Sequence, residues 1–74
     1  MNQVTRYAVV IERAAGNLSA YVPDLPGCVA TGKTREQAER NMHEAVEMHI
    51  QGLIEDKLPI PKGVASAEYI AIPA

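Results

Sequence analysis

The chain has 74 residues, a formal net charge of −2 at pH 7, one cysteine, and neither Phe nor Trp. This length fits one small domain over residues 1–74, whose own core should supply only about 3–5 kcal/mol of stability. The single Cys28 excludes an internal disulfide and a cysteine-based zinc site. We therefore expect the domain to depend on a partner or on self-association.

The charge and the hydropathy pattern exclude two further classes. A negative net charge argues against a surface built for nucleic-acid phosphates, although it suits a basic protein partner. The apolar run over residues 8–11 is too short for a signal sequence or a membrane span. The expected location is cytoplasmic, where a lone thiol stays reduced.

Alternating apolar residues predict a first strand over residues 5–11 and a second over 18–22, joined by a hairpin turn near Gly16. A short third strand is expected over residues 28–32. Between the second and third strands lies a turn motif in which two prolines fix φ and a glycine permits a tight reversal. Its residues are Pro23, Asp24, Leu25, Pro26, Gly27 and Cys28.

A helix is predicted over about residues 35–56, because Thr34 fits an N-cap and Gln37 completes a capping box. Residues 68–72 then predict a fourth strand. The expected fold is α+β with the order β-β-β-α-β. Three strands form an antiparallel meander, the fourth lies beside the first, and the helix packs on one face.

One helix cannot cover both faces of a sheet whose first strand is apolar on both sides. Val10 is therefore a candidate contact residue for a partner or a second copy. On the helix, a second apolar line runs beside the main stripe at intervals of four. Its members, which could equally form the rim of the core, are Val46, Ile50 and Ile54.

Residues 27–34 match the P-loop pattern GxxxxGK[ST], but the setting argues against a nucleotide site. No apolar strand leads into Gly27, and the residues between the two glycines predict a strand rather than a phosphate-binding loop. The first strand also lacks the central carboxylate of a two-metal nuclease, and His49 has no evident nucleophile beside it. We expect no catalytic residue, no metal ligand and no cofactor.

The segment over residues 21–38 resembles the signature of HicB-like antitoxins. It has an aromatic residue in a strand, then PDLPGC at residues 23–28, then a G-x-T-x-E-x-A pattern that opens the helix from Gly32 to Ala38. Residues 7–12 and 58–61 are similar to the same family. Lys33 departs from the acidic residue that members often carry there.

The resemblance implies a partial ribonuclease H-like fold and a small basic partner, the mRNA-cleaving toxin HicA, which the chain would neutralise by protein contact. Many members add a C-terminal DNA-binding domain; none is expected here, so direct DNA binding is not expected either. A homo-oligomer is expected. The alternatives are a solitary self-assembling regulatory module without a toxin, and a residual nuclease or nucleotide hydrolase.

Overall fold

The computed structural model describes residues 4–73 and contains three strands followed by one helix. β1 covers Val10–Ala14, β2 covers Asn17–Tyr21, β3 covers Val29–Gly32, and α1 covers Arg35–Glu55. The strands form an antiparallel sheet in the order β1-β2-β3, and α1 packs on β3 and β2. The α+β class, the meander and the single helix are thus confirmed.

β1 covers different residues from the predicted first strand, which is expected over residues 5–11. Ala14 pairs with Asn17, so the hairpin loop has two residues, and Gly16 takes a positive φ of 81° there. The last pair is Val10 with Tyr21. Pairing stops there because β2 soon reaches Pro23, which has no N–H to donate. Residues 5–9 therefore precede β1 rather than belong to it.

Between β2 and β3 the chain makes two successive turns. The N–H of Leu25 donates to the carbonyl of Val22 at 3.1 Å, and the N–H of Cys28 donates to the carbonyl of Leu25 at 3.1 Å. Each turn has proline at its second position, and Gly27 has a φ of 83° at the third position of the second turn, as in type II turns. The residues that these two hydrogen bonds join are all buried, namely Val22, Leu25 and Cys28.

The core is small and contains no buried aromatic ring. The two turns supply half of its buried apolar residues, which explains why so short a loop carries so much apolar sequence. Its buried members are Ala20, Val22, Leu25, Cys28, Ala38 and Met42. Around them pack the partly buried Tyr7, Ile11, Ala30, Ala45, Val46 and Ile50.

Burial of Cys28 predicts a loss of stability at alkaline pH. Desolvation raises the pKa of its thiol above the ordinary 9.0, whereas the unfolded chain ionises near that value. This contribution is therefore complete below about pH 9 and is lost above it, by at most about 1.4 kcal/mol per pH unit. Urea unfolding across this range should show the loss in the wild type, and a Cys28→Ala variant with the same slope would contradict it.

The start of α1 is fixed by side chains. Thr34 lies at the N-cap with an extended backbone, and its Oγ1 accepts the N–H of Gln37 at 3.1 Å. The Gln37 Oε1 in turn accepts the N–H of Lys33 at 2.6 Å. The reciprocal bond thus goes to the residue before the cap rather than to the cap itself. The bond to Thr34 satisfies a donor that the helix end leaves free, and the bond from Lys33 ties the preceding residue to the first turn.

The end of α1 reverses the chain. The N–H of Leu58 donates to the carbonyl of Leu53 at 2.9 Å, and the N–H of Lys57 donates to the carbonyl of Ile54 at 3.1 Å. With Lys57 at a φ of 57°, this is a Schellman motif. Residues 58–65, here called the connector, follow it. No helix within residues 4–73 combines the length and apolar character needed to cross a membrane.

The predicted fourth strand is not formed. Residues 66–73, here called the arm, contain no strand, and Tyr69, Ile70 and Ile72 are all exposed. A strand needs a neighbouring backbone to bond to, and no strand of the described chain lies beside the arm. The structure therefore supports the order β-β-β-α and not the fifth element.

Candidate functional site

A groove lies between β1 and the helix. α1 packs over β3 and β2. It therefore does not fully cover the helix-facing side chains of β1 and of the residues before β1. The groove has a volume of about 870 Å³. Its apolar walls come from Tyr7, Val9 and Ile11 on the strand side and from Met42, Val46 and Ile50 on the helix side.

The rim of the groove on the helix side is polar. Arg35 and Glu39 form an ion pair at 3.2 Å, and His43 lies 3.0 Å from the carboxylate of Glu47, both at i,i+4 spacing. These pairs are largely exposed, so each contributes little stability. An apolar floor with a polar rim is the usual anatomy of a surface that binds another polypeptide.

A second apolar surface lies on the opposite face of the sheet. Val10 pairs with Tyr21, and Tyr21 pairs with Val29, so the three side chains form one row across all three strands. Tyr21 and Val29 are 40% and 64% exposed. No helix of the described chain covers this outer row.

The four contact residues predicted from sequence do not form one surface. Val10 belongs to the outer row, because side chains alternate along a strand and its neighbours Val9 and Ile11 line the groove. Val46 and Ile50 line the groove. Ile54 is exposed and lies outside the groove. The molecule therefore presents two separate apolar surfaces.

Asp24 has a role that the sequence analysis missed. Its Oδ2 accepts the N–H groups of Val64 and Ala65, each at 3.1 Å. Nearby, the hydroxyl of Tyr7 donates to the carbonyl of Pro61 at 2.5 Å. The turn motif thus holds the far end of the connector, and no local sequence signal reveals a bond across 40 residues.

The P-loop-like residues serve the sheet and the helix instead. Gly27 lies in a turn, residues 29–32 form β3, and Thr34 caps α1. Gly32 lies so close to the helix that a Cβ there would meet the Cα of Ala38 at 2.8 Å. No backbone loop remains to enclose a phosphate. His49 is half-buried on α1 and does not line the groove.

The chain matches the family model described as the HicB_like antitoxin of bacterial toxin-antitoxin systems, over residues 7–74. It is also similar to a chain in a solved structure of the HicA3 and HicB3 toxin-antitoxin complex, with 31% identity and a TM-score of 0.65. That match covers 74% of this chain and 64% of the other.

Two curated relatives are similar over most of this chain. A 14.9 kDa protein in the rep-hol intergenic region of Haemophilus phage HP1 is 37% identical over 90% of this chain, which spans only 50% of that relative. A UPF0150 protein of Synechocystis is 39% identical over 81% of this chain and 77% of its own length. The match to the family model, over residues 7–74, includes the sheet and the helix that form both surfaces.

Proposed function

Because the chain belongs to the HicB-like antitoxin family, we propose that it neutralises a small HicA-type, mRNA-cleaving toxin through protein–protein contact. The observation that carries this proposal is the likeness, at 31% identity, to a chain from a toxin-antitoxin complex. Family membership also favours a regulatory binding role over catalysis. The place of action is then the cytoplasm, where mRNA is cleaved.

The surface of the described residues suits the binding of a protein partner. Within residues 4–73, no three His, Cys, Asp or Glu side chains come together in a way that could hold a metal ion. The P-loop-like residues are occupied as turn, strand and cap. The described residues present large exposed apolar surfaces that are surrounded by polar residues, and such surfaces suit a protein partner.

We assign the toxin to the outer row. Val10, Tyr21 and Val29 are cross-strand neighbours on a sheet face that no helix of residues 4–73 covers, so one flat partner surface could cover all three. Glu12 lies two residues after Val10 on the same face of the sheet, where it pairs with Ser19. The acidic balance of the chain, −2 overall, would attract a basic toxin and speed its association at low salt.

We expect growth arrest caused by a HicA-type toxin encoded beside this gene to be relieved when both are expressed. Val10→Lys should abolish the relief, because it places a positive charge in an apolar contact facing a basic partner. Met48→Lys, at an exposed helix position outside the groove, should leave relief intact. Colony counts and co-purification of the toxin provide the measurement.

Two results would contradict the assignment. If the wild-type chain neither relieves arrest nor co-purifies with the toxin, the antitoxin proposal fails. If it relieves arrest and a folded Val10→Lys variant does so equally well, the toxin binds elsewhere. Circular dichroism of both lysine variants separates lost contact from lost fold.

A further inference from the structure

The arm is an exposed apolar segment with the pattern of a strand. Ile70 and Ile72 alternate with Tyr69 and Ala71, so an extended backbone would carry the two isoleucines on one face. Ile70 is 80% exposed and Ile72 is 69% exposed. Adjacent exposed side chains of this kind mark a contact with another polypeptide.

Every residue of the arm is exposed, and the chain as a whole is elongated. The radius of gyration is 14.2 Å, whereas a compact chain of this length has about 11 Å. The longest dimension, 48 Å, is nearly twice the other two. Within the described residues, the last hydrogen-bonded backbone group before the arm is the N–H of Ala65, which donates to Asp24.

The connector carries the chain away from the groove before the arm begins. Ile60 lies at the groove, and the chain then leaves it to reach Asp24 at the β2–β3 loop. Returning to its own groove would need a reversal directly after Ala65. Residues 65–72 contain no Gly, Pro, Asn or Asp, and Ser66 is their only residue of a type that favours tight turns.

Within residues 4–73, the groove is lined by β1, the residues before it, α1 and Ile60 of the connector, and no residue of the arm lines it. β1 is at the edge of the sheet, so the backbone groups on its outer side have no strand to pair with. Its inner side chains form one apolar wall of the groove. A further strand beside β1, with apolar side chains on one face, would satisfy the edge and fill the groove together.

We propose that the arm of a second copy of this chain lies along β1, with its Ile70 and Ile72 in the groove, and that two copies exchange arms about a two-fold axis. Each chain has one arm and one groove, so reciprocal exchange leaves neither exposed. The fourth strand expected from sequence then forms between chains rather than within one. This inference goes beyond the proposed function, and it leaves the outer row free for a toxin.

The first test compares two charges on neighbouring arm residues. Sedimentation equilibrium of the purified chain at micromolar concentration should give a dimer. Ile70→Asp should raise the dimer dissociation constant by about tenfold or more, because it would bury a carboxylate in the groove. Ala71→Asp adds the same charge to the opposite face and should change it by less than about threefold. Both variants should keep the wild-type helix signal.

The second test establishes which chain receives the arm. A Val9→Cys chain mixed with an Ile70→Cys chain in oxidised glutathione should form a disulfide-linked heterodimer, and Val9→Cys mixed with Ala71→Cys should form much less. The native Cys28 is buried, so it reacts slowly with the oxidant. A chain carrying both Val9→Cys and Ile70→Cys should link between molecules.

Any of three outcomes overturns the exchange. The double-cysteine chain could close its disulfide within one molecule, which would mean that the arm folds back on its own groove. Alternatively, the wild type could sediment as a monomer, or Ala71→Asp could weaken the dimer as much as Ile70→Asp does. Since no toxin is present in these experiments, they are independent of the antitoxin proposal.

Discussion

Leu25→Ala should leave the chain largely unfolded at room temperature. Leu25 has 0% of its surface exposed and is one of the two largest fully buried side chains. Truncating a buried leucine to alanine costs about 2–5 kcal/mol, through lost transfer free energy and the cavity left behind. A core of this size supplies only about 3–5 kcal/mol in total. Far-ultraviolet circular dichroism in a urea titration should show little or no folded baseline.

Leu58→Ala provides the matched control, because the same atoms are removed from a leucine that is 52% exposed in the connector. Its urea midpoint should correspond to a loss of less than about 1 kcal/mol. Equal losses for the two variants would mean that the double-turn loop does not hold the core. A dimer-bound chain is more stable, so both titrations should be made at one fixed protein concentration.

Two glycine-to-alanine changes should alter stability in opposite directions. At Gly32 the new Cβ would meet the Cα of Ala38 at 2.8 Å, so the helix must move away from β3. We expect a loss of about 1–3 kcal/mol, as for other overpacked sites. At Gly52, inside α1, no atom outside the adjacent backbone of the helix itself lies within 4 Å of the new Cβ, and alanine should gain about 1 kcal/mol through its higher helix propensity.

Urea midpoints of the two glycine variants, measured side by side, test this pair. Each variant adds one methyl group. The difference between their urea midpoints therefore reports the local surroundings of each glycine and not a general effect of the substitution. A stabilised Gly32→Ala variant would show that α1 is not packed so closely on β3. It would also remove the physical reason for glycine at the end of that strand.

Local sequence predicted those elements whose limits are set locally. Thr34 and the Pro59–Pro61 region bracket the helix, and period-two alternation marks the strands. The first strand shifted to Val10–Ala14 because its start depends on where its partner reaches Pro23, which alternation within one strand does not reveal. Residues 68–72 have the composition of a strand, but composition does not say which backbone they pair with.

In the candidate site, too, the sequence predicts the local features but not those that depend on tertiary packing. Alternation correctly separates Val9 from Val10, and the spacing of Val46 and Ile50 puts both on one side of the helix. Whether that side is covered depends on where the helix sits on the sheet, which is a tertiary property. The bond from Asp24 to Val64 spans 40 residues, so no window of sequence contains both partners.

That same aspartate also sets the length of chain by which the arm is tethered. While its carboxylate holds Val64 and Ala65, only the residues after Ala65 are free to search, and the eight described residues of the arm span roughly 26 Å when fully extended. If the carboxylate let go and the connector peeled away as far as the end of the helix, the free length would double to roughly 53 Å. The Asp24 carboxylate, together with the Tyr7 hydroxyl that holds Pro61, thus limits how far the arm can reach. A short tether favours a neighbour already in place, whereas a long one would also reach more distant molecules.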